Sequence, residues 1–218
     1  MFNTSELTIS FKQKELNIED LWGLFQRYGR LGQKTIFNRF YTRIDQAFIL
    51  WGMITAIIFI TAHFFPISWH FQAILWSIIT IIGSILMALL TYFWAKLEHL
   101  RWVIYLWIGL MLFGLGITDL GIFGNFSVIL INLCPIWLGL TAIGYIIMGF
   151  GMGSQTFIMS GLFHSLGLLV LPYFTQWQFL ITGSIITGCL LILAELQWDM
   201  RSTYNLEYLS IYQKNPLN

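Results

Sequence analysis

Charge is scarce in this chain. Only 10% of its 218 residues are Asp, Glu, Lys or Arg, against about 25% in an ordinary soluble domain. The formal net charge is +1, too small to supply the single-sign field that nucleic-acid partners require. Cysteine is scarcer still. Cys134 and Cys189 stand alone in apolar surroundings with no CxxC, which excludes a disulfide framework or a cysteine-based zinc motif and reads as two small packing residues. There is no HExxH, no phosphate-binding glycine loop and no pair of acids within an apolar run, so the chain is expected not to be an enzyme, with no metal and no cofactor. Ser154 and His164 do not repair this. Ten positions along one helix put them about 15 Å apart, beyond the reach of a nucleophile and its base.

What the chain has is hydrocarbon: 57% of its residues are hydrophobic. A spanning helix needs roughly 20 apolar residues, and six such runs lie near 46–66, 69–95, 101–120, 127–150, 154–174 and 177–197. The expectation is an all-α, polytopic transmembrane helical bundle of about six spanning helices. An amphipathic front segment (1–45) precedes it, and a short tail (198–218) follows. Lys12, Lys14, Arg27, Arg30, Lys34, Arg39 and Arg43 precede the first run. Lys96 and Arg101 bracket the second connection, and Arg201 and Lys214 lie in the tail. The other connections carry neither Lys nor Arg. Cytoplasmic segments hold the excess of positive charge, so both termini are expected in the cytoplasm of a bacterial, or the equivalent side of an organellar or thylakoid-type, membrane. The first apolar run begins only near residue 46, after a segment that carries acids. This is unlike a signal peptide and is expected to remain as an anchor.

The front segment reads as two amphipathic helices. Residues 17–31 have Asn17 as cap, Asp20 in the first turn, and Ile18, Leu21, Trp22, Phe25 and Tyr28 at helical spacing, with Gly29 and Gly32 as a break. Residues 34–45 set Ile36, Phe37, Phe40, Tyr41 and Ile44 on one face among Lys34, Arg39 and Arg43. That pattern suits a helix lying in the headgroup layer, either as a lead-in to the first span or as a docking surface for a partner or anionic lipid.

Inside lipid, helices associate by close packing, which small residues permit. Ala73, Ser77, Thr80, Ser84, Ala88, Thr91 and Ala95 form such a stripe on the second run. Asn132, Pro135, Gly139, Ala142, Gly149 and Gly153 form another on the fourth, and Gly153, Ser160, His164 and Gly167 share a face on the fifth. The fragments Phe48–Gly52 and Phe157–Gly161, and Ser77–Thr80 and Ser184–Thr187, suggest a repeat relating the first and third of three hairpins, Gly109 opening the middle one. Three hairpins with a Gly early in the first helix, a turn containing Pro or Gly and a Gly in the second helix resemble the HdeD-type family of six-helix bacterial membrane proteins linked to acid stress. The pattern runs from Ser160-Gly161 through Pro172 to Gly183 and Gly188. The resemblance implies a six-helix fold and a stress-protection role. It carries no catalytic motif, and the long front segment departs from it.

Polar groups inside the spans are functional candidates by default. His164, with Ser160 on its face, sits near the middle of the fifth run, where it could ligate, relay a proton or bond a neighbouring helix. Asp119 is the one acid on the outer side, at a depth that His63, His70, Asn125 and Asn132 share as a candidate outer vestibule. The function expected is interaction, assembly or stress protection within the bilayer, with a membrane-protein partner or a second copy. The alternatives are a transporter or channel for a small neutral solute, with Pro135 breaking a helix, and pigment binding at His164.

Overall fold

The computed structural model describes residues 9–11, 25–31 and 34–198, with side chains from Tyr41 to Leu196 except Leu97. Seven α-helices follow a front end of strands: α1 (Arg43–Phe64), α2 (Trp69–Leu97), α3 (Arg101–Phe123), α4 (Ser127–Ile131), α5 (Leu133–Met152), α6 (Gln155–Val170) and α7 (Gln178–Glu195). A 3-10 segment, Leu171–Trp177, joins α6 to α7. Five helical stretches among the described residues are long and apolar enough to cross a membrane, the last being the whole of Gln155–Glu195. Large apolar side chains such as Leu89, Phe113, Phe150 and Leu169 face outward along them, as a bundle surrounded by lipid requires.

The front end differs from the sequence expectation. Strand β2 (Phe25–Leu31) pairs antiparallel with β3 (Lys34–Tyr41) where amphipathic helices were expected over 17–31 and 34–45. The composition explains the correction: Phe25, Tyr28, Thr35, Ile36, Phe37, Phe40 and Tyr41 are aromatic or β-branched, which suits a pleated surface. Gly29 weakens a helix there and sits instead beside a register shift at Gly29/Arg30. Leu31 pairs with Lys34 at the end of the ladder. The expected cap Asn17 lies outside the described residues, as do Ile18, Leu21 and Trp22. A second ladder joins β1 (Ile9–Phe11) to β4 (Leu196–Trp198). It brings the front of the chain against the end of the bundle.

Helix α1 starts at Arg43, earlier than expected. Thr42 and Asp45 form a capping box: Thr42 N–H donates to Asp45 Oδ2 at 2.8 Å, and Asp45 N–H to Thr42 Oγ1 at 3.2 Å. The expected fourth helix, 127–150, is two helices that meet at Asn132. Pro135 therefore stands in the first turn of α5, where its missing N–H costs nothing, and does not break a helix interior. At the other end of α5, Gly153 takes φ 65. Ser154 N–H bonds Gly149 O at 2.9 Å and Gly153 N–H bonds Phe150 O at 3.4 Å, a Schellman turn that needs a left-handed residue. Gly153 is thus a helix stop, not part of a packing stripe.

Every long helix runs antiparallel to the next. Trp51 meets Met87 while Thr61 meets Trp76, fixing α1 against α2. Ser77 meets Asp119, and Gly161 and Gly149 of the α5–α6 pair meet Ala142 and Ile158. Gly167 lies against Ile185, so the chain folds back from α6 into α7. The fold-back pivots where Pro172 starts the 3-10 segment and Phe174 leaves helical geometry at φ −130, ψ 51. Gly52 and Gly183 then admit Leu191 and Phe59 between α7 and α1.

Candidate functional site

Contacts between neighbours close five helices into a ring: α1 touches α2, α2 touches α3, α3 touches α5, α5 touches α7, and α7 returns to α1. Helix α6 packs on α5 and α7. The ring surrounds a cavity of about 140 Å³ that takes its lining from all five ring helices and none from α6. The lining extends from Ile44 to Ala62 on α1 and from Trp76 to Ala95 on α2. Eighteen or nineteen residues at 1.5 Å per residue make it about 27 Å long, close to the hydrocarbon thickness of a bilayer of roughly 30 Å.

Two hairpins build most of the wall in the same way. Helix α2 carries Trp76, Thr80, Gly83 and Met87, and α5 repeats the spacing as Trp137, Thr141, Gly144 and Met148. Helix α1 answers with Trp51, Ile54 and Thr61, and α3 with Trp107, Leu110 and Thr118. In the first hairpin Trp51 Nε1–H donates to Met87 Sδ at 3.1 Å, and Trp76 Nε1–H to Thr61 Oγ1 at 3.2 Å. In the second, Trp107 Nε1–H donates to Met148 Sδ at 3.4 Å, and Trp137 Nε1–H to Thr118 Oγ1 at 3.1 Å. A Cβ on Gly83 would run into Ile54, with Trp51 beside it; one on Gly144 would meet Leu110 at 2.8 Å and Trp107 at 3.0 Å. This structural repeat relates the first and second hairpins. The sequence fragments paired the first with the third.

The wall leaves few polar atoms for an occupant. Four of the five indole N–H groups on the wall are taken by the bonds above, and the fifth belongs to Trp94 near one end. Of the five threonines on the lining, Thr55, Thr91, Thr118 and Thr141 each donate to a carbonyl of their own helix at 2.8–2.9 Å. Thr80, about midway along α2, is the fifth. Asp119 is the one Asp, Glu, Lys or Arg more than three residues inside a bundle helix, and it does not line the cavity. Its two carboxylate oxygens lie 3.2 and 3.0 Å from Ser77 Oγ, which donates its one O–H to them across the α2–α3 contact.

His164 and Ser160 fall outside the ring interior. His164 is fully buried on α6, with its ring 5.1 Å from that of Tyr145. Its Nδ1 lies 2.7 Å from Ser160 O. A carbonyl only accepts, so Nδ1 carries the proton. In the neutral ring Nε2 then presents a bare lone pair, and it has no hydrogen-bond partner among the described residues. Ser160 Oγ donates to Thr156 O at 2.9 Å. Tyr145, stacked on Phe157 at 6.2 Å, stands between His164 and the cavity that Tyr145 itself lines. The polar face around His164 is therefore an α5–α6–α7 contact and not a lumen.

The small-residue stripe on α2 does face inward: Ala73, Thr80, Ser84 and Ala95 are buried, with Ser77, Ala88 and Thr91 half-buried. The expected outer vestibule is dispersed. His63 stacks on Trp177 at 5.2 Å and His70 packs edge-on against Phe123 at 5.5 Å. Asn125 makes a turn at φ 54. Asn132 is exposed and donates from Nδ2 to Val128 O at 2.7 Å, within its own turn. Glu195, at the end of α7, accepts from Tyr41 Oη at 2.6 Å.

The tryptophan–methionine wall went unnoticed in the sequence, although Trp-x3-Thr-x2-Gly-x3-Met occurs twice. Tryptophan in a membrane protein suggests the interfacial belt. Here Trp69 and Trp177 take that place, exposed at helix ends, while Trp51, Trp76, Trp107 and Trp137 turn to the interior. No family model, curated protein or solved structure matches this chain.

Proposed function

We propose that this chain is a six-pass integral membrane protein with both termini cytoplasmic. Its work is interaction or assembly within the bilayer, without catalysis. The observation that carries this reading is the character of the interior: a cavity as long as the bilayer is thick, with no charged side chain on its wall and four of its five indole donors and most of its hydroxyl donors already used. Such an interior offers nothing to activate a substrate or to replace the hydration of an ion. The fold-back at 171–177 supports counting α6 and α7 as two passes. Even passes put both ends on one side, in keeping with the β1–β4 ladder and the clustering of Lys and Arg there. A stress-protection role of the HdeD type belongs to this reading, supported by three antiparallel helix pairs in chain order. A polar-solute channel through His164 is disfavoured by the position of that residue behind Tyr145.

The test is isolation of the tagged full-length chain from its own membrane in mild detergent, with identification of whatever stays bound. A membrane protein at fixed stoichiometry is the expected result. A homogeneous chain that reconstitutes into vesicles and passes a polar solute would contradict the reading.

A further inference from the structure

We infer that the ring cavity is the binding site for one polyisoprenoid chain lying along the bundle axis. The inference deepens the reading above and rests on it for the membrane setting. Three observations point to the occupant. The first is polarity. The wall is aromatic, thioether and aliphatic, and four of its five threonine hydroxyls, which could otherwise attract a polar solute, donate to their own backbone. An occupant that forms no hydrogen bonds loses nothing by entering, whereas a polar one would leave its groups unpaired. The second is width. The 140 Å³ is room for the centre of a water-sized sphere. Spread along about 27 Å, it describes a bore of roughly 2.7 Å radius, one hydrocarbon chain across.

The third is length. One leaflet is half of a hydrocarbon core of roughly 30 Å. A phospholipid acyl tail entering from either side reaches only to about the middle of this bore. A chain that fills it must cross the midplane, as polyisoprenoid tails can. Met87, Met111 and Met148 on three different helices add unbranched, polarizable side chains that conform to a methyl-branched surface. The repeated hairpins explain how a sequence maintains an open bore in lipid, where helices otherwise close on one another. Trp51 and Trp107 are held by Met87 and Met148, and a large ring fixed at each hairpin interface keeps its two helices apart above and below it.

The experiment has two arms. The full-length chain, purified from its own membrane and stripped of loosely held lipid by repeated detergent exchange, is extracted with solvent and the extract analysed by mass spectrometry. About one polyisoprenoid-tailed molecule per chain is the expected result. Phospholipid alone, in the proportions of the bulk membrane, or no lipid at all overturns the inference. In the second arm, delipidated protein is titrated with solanesol, and in parallel with stearic acid, while thermal unfolding is followed. Solanesol is expected to raise the midpoint by a few degrees saturably, by linkage, and stearic acid to do so far less. Equal shifts, or none with solanesol, overturn it. Thr80→Phe, which narrows the bore roughly 6 Å from its Trp76 end, should abolish the solanesol shift while Thr80→Val keeps it; should Thr80→Phe fail to fold, the wild-type arms decide. Loss of the chain alongside an intact partner complex overturns this inference and leaves the interaction reading standing.

Discussion

The α1–α2 and α3–α5 hairpins and the α5–α6 seam face the same problem, association without help from water, and meet it in opposite ways. At the seam the backbones touch. A Cβ on Gly161 would stand 3.0 Å from Ala142 O and 3.1 Å from Ile146 N, and one on Gly149 2.7 Å from Ile158 N. In the two hairpins a tryptophan keeps the helices at side-chain distance and a single N–H bond holds it. Close backbone packing yields a solid contact, and His164 lies buried beside it. Ring-spaced packing yields a wall with a bore behind it. The difference teaches that small residues in a span do not all serve one purpose: Gly161 admits a backbone, Gly83 admits a neighbour's side chain, and Gly153 ends a helix.

The contrast should be broken most severely at the seam. Gly161→Leu must displace backbone, and overpacking of this kind costs about 3 kcal/mol or prevents folding. Gly83→Ala meets only the end of the Ile54 side chain and should cost well under half as much. Unfolding midpoints of the two variants in detergent, measured side by side, check the ranking. Equal costs would dissolve the distinction.

The equivalence of the two hairpins gives the next effect. Trp51→Phe and Trp107→Phe each remove one N–H donor to a methionine sulfur, and Trp76→Phe and Trp137→Phe one donor to a threonine hydroxyl. Interhelical bonds in membranes contribute about 0.6 kcal/mol each, and at most about 1.7. Within each pair the losses should agree, and denaturation curves for the four variants show whether they do. Tyr41→Phe, which removes one bond to Glu195, should cost about 0.5–1 kcal/mol. It should also raise the rate at which protease removes the front segment. His164→Leu should have the smallest effect. It discards a ring nitrogen without a partner among the described residues and one bond to a carbonyl of its own helix, so stability should change by less than about 1 kcal/mol and association with a partner should persist. Loss of association on that substitution alone would restore His164 as a site.

The spans were legible because hydropathy acts over about 20 residues and depends little on tertiary detail. The α2 stripe was legible for a similar reason: Ala73, Thr80 and Ser84 share a face at a fixed helical spacing. The front end was not, since Ile36, Phe37, Phe40 and Tyr41 fit one helical face as well as a strand, and pairing with β2 decided it. The bore was hidden for a different reason. Its wall is a property of five helices together, and nothing in the run around Trp107 says that the ring turns toward Met148 and not toward lipid. His164 showed the converse failure. It lies in the interior of an apolar helix, but that helix packs outside the ring.

The central claim is that the ring encloses a dry, apolar bore. It is tested most directly by placing a thiol on the wall at mid-depth, Thr141→Cys, in membrane vesicles of both orientations. The two native thiols, Cys134 and Cys189, are buried and set the background. The account expects that a charged, membrane-impermeant thiol reagent labels the new cysteine no faster than that background from either side. Rapid labelling, at a rate typical of a water-exposed thiol, would show a hydrated passage and contradict it.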